Sequence, residues 1–140
     1  MLEMRTALYD PEPTVHFPAC VYFRKSLAID QHPPLDLVHA CGVVPRLVEL
    51  LSQSLHNIQY ECAWFLTNMA CGQKNILEDL LATNLVPLAL KLMVSSSNED
   101  VRYSANELHV TPILFNCFPC HLFTGNSACG YSVTWPPVLM

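Results

Sequence analysis

Trp64 and Asn68, four residues apart in the run Ile58 to Ala70 (IQYECAWFLTNMA), are the side chains here best suited to holding a ligand. On a helix this spacing puts both on one face, a single turn apart. The face of an indole attracts a cation by roughly 0.5 to 2 kcal/mol. An asparagine amide donates and accepts at once, which an extended peptide backbone requires. In an arbitrary helical protein the commoner reading is a core tryptophan and a solvated asparagine, so the elements around the pair decide its meaning.

Other chemistry is poorly supported. Cys117-Phe-Pro-Cys120-His121 matches the spacing of covalent haem attachment, and Cys117, Cys120, His121 and Cys129 are of metal-ligating type. Adjacent Cys120 and His121 are badly placed to share one metal, and no second paired motif follows. A redox CxxC needs a βαβ setting that this sequence does not suggest. The histidines at 16, 32, 39, 56, 109 and 121 are scattered. There is no glycine-rich phosphate loop, HExxH or nucleophile elbow. No catalytic residue, metal or cofactor is therefore expected, and the chain is not read as an enzyme.

The 140 residues fit one domain or a piece of something longer. With 51% hydrophobic and 14% charged residues, an acidic, core-poor disordered chain is excluded. The net charge of −5 argues against a nucleic-acid binder and permits a basic partner. No apolar run approaches the roughly 18 to 20 residues that span a bilayer, and the opening MLEMRTALYDPEPTVHF lacks the pattern of a signal peptide. An intracellular chain with no membrane association is expected, with Cys20, Cys41, Cys62 and Cys71 as reduced thiols.

Charge divides the sequence. All nineteen charged side chains lie between Glu3 and Glu107, and the 33 residues from Leu108 onward carry none. The middle reads as amphipathic helices over Gly42–Leu51, Ile58–Ala70, Gln73–Leu81, Leu85–Val94 and Asp100 to about Leu108. Pro45 falls in a first turn, where its missing N–H costs nothing. Shifted by 42, GVVPRLVELL lands on NLVPLALKLM and Pro45 falls on Pro87; shifted by 43, Ile58 falls on Val101 and Tyr60 on Tyr103. A helical period of 42 to 43 lies in the armadillo/HEAT range, in which units of a few helices stack into a right-handed solenoid. The fold class is all-α. The expected organisation is an irregular N-terminal segment over 1–22, an armadillo-repeat region of about two repeats over 23–108, and an uncharged Pro/Cys-rich tail over 109–140. Prolines at 112, 119, 136 and 137 leave that tail no helix of useful length, so it is expected to be disordered.

The residues resemble one family. Phe23-Arg24-Lys25, Pro33-Pro34-Leu35-Asp36, GVVPRLVELL and ECAWFLTNMACG come in the order and spacing of the opening armadillo repeats of importin-α, ungapped from about Phe23 to Arg102. The resemblance implies an adapter that binds basic nuclear localisation signal peptides in a concave groove, in nuclear protein import, shared between cytoplasm and nucleus. It implies that Trp64 stacks on the aliphatic stem of a Lys or Arg and that Asn68 bonds the peptide backbone. Cys71 stands where the family has serine, Gly72 matches its glycine, and Leu77 replaces a threonine that helps hold the key lysine. In the next repeat Glu107 stands in place of a groove tryptophan, Ser104 in place of glutamine and Thr111 in place of asparagine.

The expected peptide-binding set is Trp64, Asn68, Cys71 and Gly72, weakened because one Trp-Asn rung remains. Glu61, Glu78, Asp79, Glu99 and Asp100 add acid that a basic peptide would meet. The first 22 residues hold one arginine and no lysine, so importin-β is not an expected partner. The alternative is a truncated, non-transporting fragment, a degenerate product or short isoform that acts at most as a helical interaction module.

Overall fold

A computed structural model describes residues 1–28, 32–53 and 55–117, with side chains through Leu108. Its helices are α1 (Leu2–Leu8), α2 (His16–Leu27), α3 (Leu35–Ala40), α4 (Val44–Leu51), α5 (His56–Ala70), α6 (Lys74–Leu81), α7 (Leu85–Ser95) and α8 (Glu99–Cys117), with a 3-10 turn over Pro13–Val15. No strand occurs among the described residues, so the class is all-α.

The period seen in the sequence is the period of the fold. Helices α3, α4 and α5 form one three-helix unit, and α6, α7 and α8 repeat it, α8 starting 43 residues after α5. Helix α2 is the last helix of a preceding unit, and α2, α5 and α8 pack side by side. Their shared register carries the core. Cys20, Cys62 and Ala105 form one buried row, and Phe23, Phe65 and Leu108 the next. Phe23 and Phe65 meet edge-on with centroids 6.4 Å apart, the arrangement that ring quadrupoles favour. Helices α4 and α7 cover α5 and α8 from behind. Leu47, Leu50 and Leu51 of α4 and Leu85, Ala89 and Leu92 of α7 are buried there.

Local signals set the joints. Pro45 sits in the first turn of α4 as its missing donor allows. Gly42, just past α3, has φ +66°, a left-handed conformation that glycine takes without steric cost. Asn98 accepts the N–H of Val101 at 3.0 Å and so caps the start of α8.

Both ends differ from expectation. Residues 1–22 are largely helical: α1 packs on α2, and Leu8 is fully buried. Arg46 of α4 donates to the Leu8 carbonyl at 2.7 Å, and His16 bonds the Asp10 carbonyl at 2.8 Å. The segment's prolines do not abolish its helices, because Pro11 and Pro13 fall between α1 and α2 and Pro18 falls in the first turn of α2, where its missing N–H costs nothing. At the other end, α8 continues past Leu108 and through Pro112 to Cys117. A proline inside a helix costs about 3 kcal/mol, which disrupts an isolated helix but not one already nucleated by packing. Residues 118–140, with Cys120, His121 and Cys129 of the CxxCH segment, lie outside the described residues.

The four cysteines whose side chains are described, Cys20, Cys41, Cys62 and Cys71, are free thiols. Cys20 and Cys62, facing each other from α2 and α5, have sulfurs 3.7 Å apart. Burial pushes the Cys62 thiol well above its ordinary range, and its bond to Cys20 adds to this. The unfolded chain then releases a proton above about pH 8.5 that the folded chain keeps, so stability falls as pH rises. Urea midpoints measured at neutral pH and near pH 9.5 should show this loss, and Cys62→Ala should reduce the slope at some cost in absolute stability. An unchanged slope in Cys62→Ala would show that the buried thiol is not its source.

Candidate functional site

Helix α5 carries Trp64 and Asn68 one turn apart, as their spacing requires. Trp64 is half-buried, with Tyr60 edge-on to it at 5.9 Å between centroids. One face of its indole is covered from within the chain: the Arg24 guanidinium of α2 lies 4.3 Å from the ring centroid. The same guanidinium donates from Nε to Glu61 Oε2 at 2.7 Å, with both side chains nearly buried. Planarity lets one arginine stack on an aromatic ring and pair with a carboxylate at once, which a lysine ammonium does less well.

Asn68 is only 6% exposed. Neither its amide nitrogen nor its amide oxygen has a hydrogen-bond partner among the described residues. A buried amide in that state costs about 1 to 3 kcal/mol. Its helical neighbour Thr67, by contrast, bonds the Ala63 carbonyl at 2.9 Å. The orphaned amide is the one polar group of this helix face with both a donor and an acceptor unspent.

The other expected residues lie at the end of α5. Cys71 is its C-cap, with Sγ 3.5 Å from the Thr67 carbonyl. The Gly72 N–H bonds the Met69 carbonyl at 3.0 Å. A Cβ on Gly72 would come within 3.0 Å of that carbonyl oxygen and 3.2 Å of Ile76, so glycine is needed here for space. Leu77 is buried in the core, where no side chain could serve as a hydroxyl toward solvent. Glu107 of α8 is half-buried, and Ser104 turns inward to bond the Asp100 carbonyl at 2.8 Å.

Of the acids, Glu61 is taken by Arg24, Glu78 lies 3.5 Å from Lys74 and Asp79 lies 3.0 Å from His39. Glu99 and Asp100 are exposed. The roles of Arg24 and Glu61 were missed in the sequence because their pairing links residues 37 apart on different helices. By the repeat period Tyr22 lies 42 before Trp64 and Ser26 lies 42 before Asn68, so the preceding unit carries neither residue of the pair. Burial pushes the Tyr60 hydroxyl up, with Glu61 and Asp100 acting in the same direction and Arg24 against them. No cluster of three metal-ligating side chains occurs among the described residues, and no described helix is long and apolar enough to cross a membrane.

Two experiments test this geometry. Asn68→Leu removes an unsatisfied buried amide in similar volume and should raise the unfolding free energy by about 1 to 2 kcal/mol in urea titrations; a loss would mean that the amide is satisfied in the folded chain. A double-mutant cycle of Arg24→Met and Glu61→Gln should give a coupling of about 1 to 3 kcal/mol, since removing one partner strands the other; additive losses would show the pair to be energetically independent.

Comparison with known proteins fits this geometry. Residues 30–71 match the Armadillo/beta-catenin-like repeat family. Importin subunit alpha-4 of Arabidopsis thaliana is 39% identical over 100 residues, covering 71% of this chain and 18% of that protein. Probable importin subunit alpha-A of Dictyostelium discoideum is 33% identical over 97 residues, covering 69% and 18%. The chain thus spans about a fifth of the length of these relatives. Among solved structures, a computationally designed armadillo repeat protein for modular peptide recognition superposes with a TM-score of 0.69 at 19% identity, covering 77% of this chain and 44% of that one. A designed armadillo repeat protein in complex with the peptide (KR)4 gives 0.69 at 19%, covering 78% and 45%. The fold is that of the armadillo solenoid, and this chain is an importin-α-like armadillo-repeat fragment.

Proposed function

We propose that the chain binds extended basic peptides of the nuclear localisation signal type across α5, as a weakened form of the import adapter's groove, in cytoplasm and nucleus. The observation that carries this reading is the Asn68 amide, buried beside Trp64 with donor and acceptor both unspent. A peptide backbone along the helix satisfies both once the side chains that cover the amide move aside, turning a cost in the free protein into a gain on binding. Trp64 supplies the second element, an indole face for a Lys or Arg stem.

Arg24 limits the choice of face. The Arg24 guanidinium already lies over one face of the indole, so the ligand's cation either displaces it or takes the other face. On α8 the 43-residue register puts Glu107 where the family has a second tryptophan. A carboxylate exchanges an aromatic wall for an ion pair, which attracts a cation but is more readily screened by salt. Binding is accordingly weak and salt-dependent, with Cys71 and Gly72 shaping the end of the rung. The role is that of a binding adapter without catalysis.

A second reading has support of its own. With one Trp-Asn rung and an indole face occupied internally, the chain suits an interaction module that carries no cargo. Anisotropy of a labelled (Lys-Arg)4 peptide separates the two. Trp64→Ala should weaken binding about 2- to 30-fold, and Asn68→Leu should weaken it while the fold is preserved. Equal affinity in all three proteins, lost at modest salt, would leave only nonspecific attraction and favour the module.

A further inference from the structure

The turn between α4 and α5 and the turn between α7 and α8 enclose a cavity of about 290 Å³, lined in part by Gln53, His56, Gln59, Lys91, Ser95 and Ser97. It lies on the loops, away from Trp64 and Asn68. Ser97 lines it, is exposed and has its Oγ 3.5 Å from His56 Nε2. The neighbouring serines are otherwise engaged. Ser95 donates to the Lys91 carbonyl at 2.7 Å, and the Ser96 hydroxyl accepts the Asn98 N–H at 3.3 Å. Glu99 and Asp100 follow Ser97 at the second and third positions, both exposed in the first turn of α8.

An exposed loop serine followed at those positions by acids has the pattern read by acid-directed serine kinases. We propose that Ser97 is a phosphorylation site for such a kinase, and that its phosphate closes across the cavity onto His56 and Lys91. In the transfer, Ser97 Oγ bonds to the γ-phosphorus of ATP as the bond from that phosphorus to the β-bridging oxygen breaks. The hydroxyl proton passes to the kinase's base and ADP leaves.

The modified side chain carries about −1.5 to −2 charges and three strong acceptor oxygens. His56 belongs to the first turn of α5 and Lys91 to α7, so bonds to both join the two repeats through their turns. The phosphate also precedes the N-terminus of α8, where the helix dipole favours negative charge. Glu99 and Asp100 oppose it from the same helix, exposed and therefore screened. In the unmodified chain the same loop is held by local bonds, among them those of Asn98 and Ser96 and the Arg102 bond to the Ser96 carbonyl at 2.9 Å, and its one side-chain link to α5 is the 3.5 Å contact of Ser97 with His56 among the described residues.

The test incubates the full chain with ATP and an acid-directed serine kinase of the casein-kinase type, then maps phosphate by mass spectrometry. One phosphate is expected on Ser97, absent in Ser97→Ala and incorporated about tenfold or more slowly in Glu99→Gln/Asp100→Asn. The phosphorylated chain should melt about 3 to 8 °C higher than the unmodified one, and Lys91→Ala should remove most of that rise. Incorporation at Ser95 or Ser96 instead, none at all, or a rate indifferent to the two acids would overturn the site. A melting point that does not rise, or rises equally in Lys91→Ala, would overturn the closure onto the cavity.

Discussion

In the stacking of α2, α5 and α8, each helix presents a small buried residue and, one turn on, a large one: Cys20 and Phe23, Cys62 and Phe65, Ala105 and Leu108. None of these helices can bury that stripe alone, so each depends on the neighbour 42 or 43 residues away. Close packing then admits a single register, since a shift by one residue would set phenylalanine against phenylalanine's backbone and leave a void at the cysteines. The short helices α3, α4, α6 and α7 serve this stack. They return the chain and roof its back, and their joints are set by Pro45, Gly42 and Asn98.

The binding face follows from the same register. Once Cys62 and Phe65 point into the stack, Trp64 and Asn68 stand together on an adjoining face of α5. The two are treated oppositely by their surroundings. Trp64 is supported by Tyr60 and by an arginine that is itself paired with Glu61. Asn68 is buried without support. A rigid aromatic beside an unsatisfied amide is an arrangement that costs the free protein stability and is relieved by a ligand with backbone-like donors and acceptors.

Legibility in the sequence tracked the range of the interactions. The repeat, the all-helical class and the Trp64–Asn68 pair were readable because each rests on spacing within a helix or on one fixed period. Gly72 was readable as a match, though its reason, the crowding by Met69 and Ile76, was not. The pairing of Arg24 with Glu61 and Trp64 was hidden because it joins different helices of different repeats. The N-terminal helix α1 was hidden for another reason. Seven residues closed by Asp10 and Pro11 carry little periodic signal, and its stability comes from burying Leu8 and from Arg46 reaching its last carbonyl. The continuation of α8 through Pro112 was hidden because a local breaker does not end a helix whose earlier turns are packed against α5 and α7.

The central claim is that the Asn68 amide waits for a peptide backbone. Side-chain amide resonances report on this directly. In a ¹⁵N-labelled chain, the Asn68 NH₂ pair is assigned by its disappearance in Asn68→Leu, then followed as unlabelled (Lys-Arg)4 is added. The account predicts a saturable downfield shift of that pair, as its donor and acceptor become engaged, in step with perturbation of the Trp64 indole signal. A titration in which the Asn68 pair stays fixed while surface resonances near Glu99 and Asp100 move would contradict it, placing the basic peptide on exposed acids and not on α5.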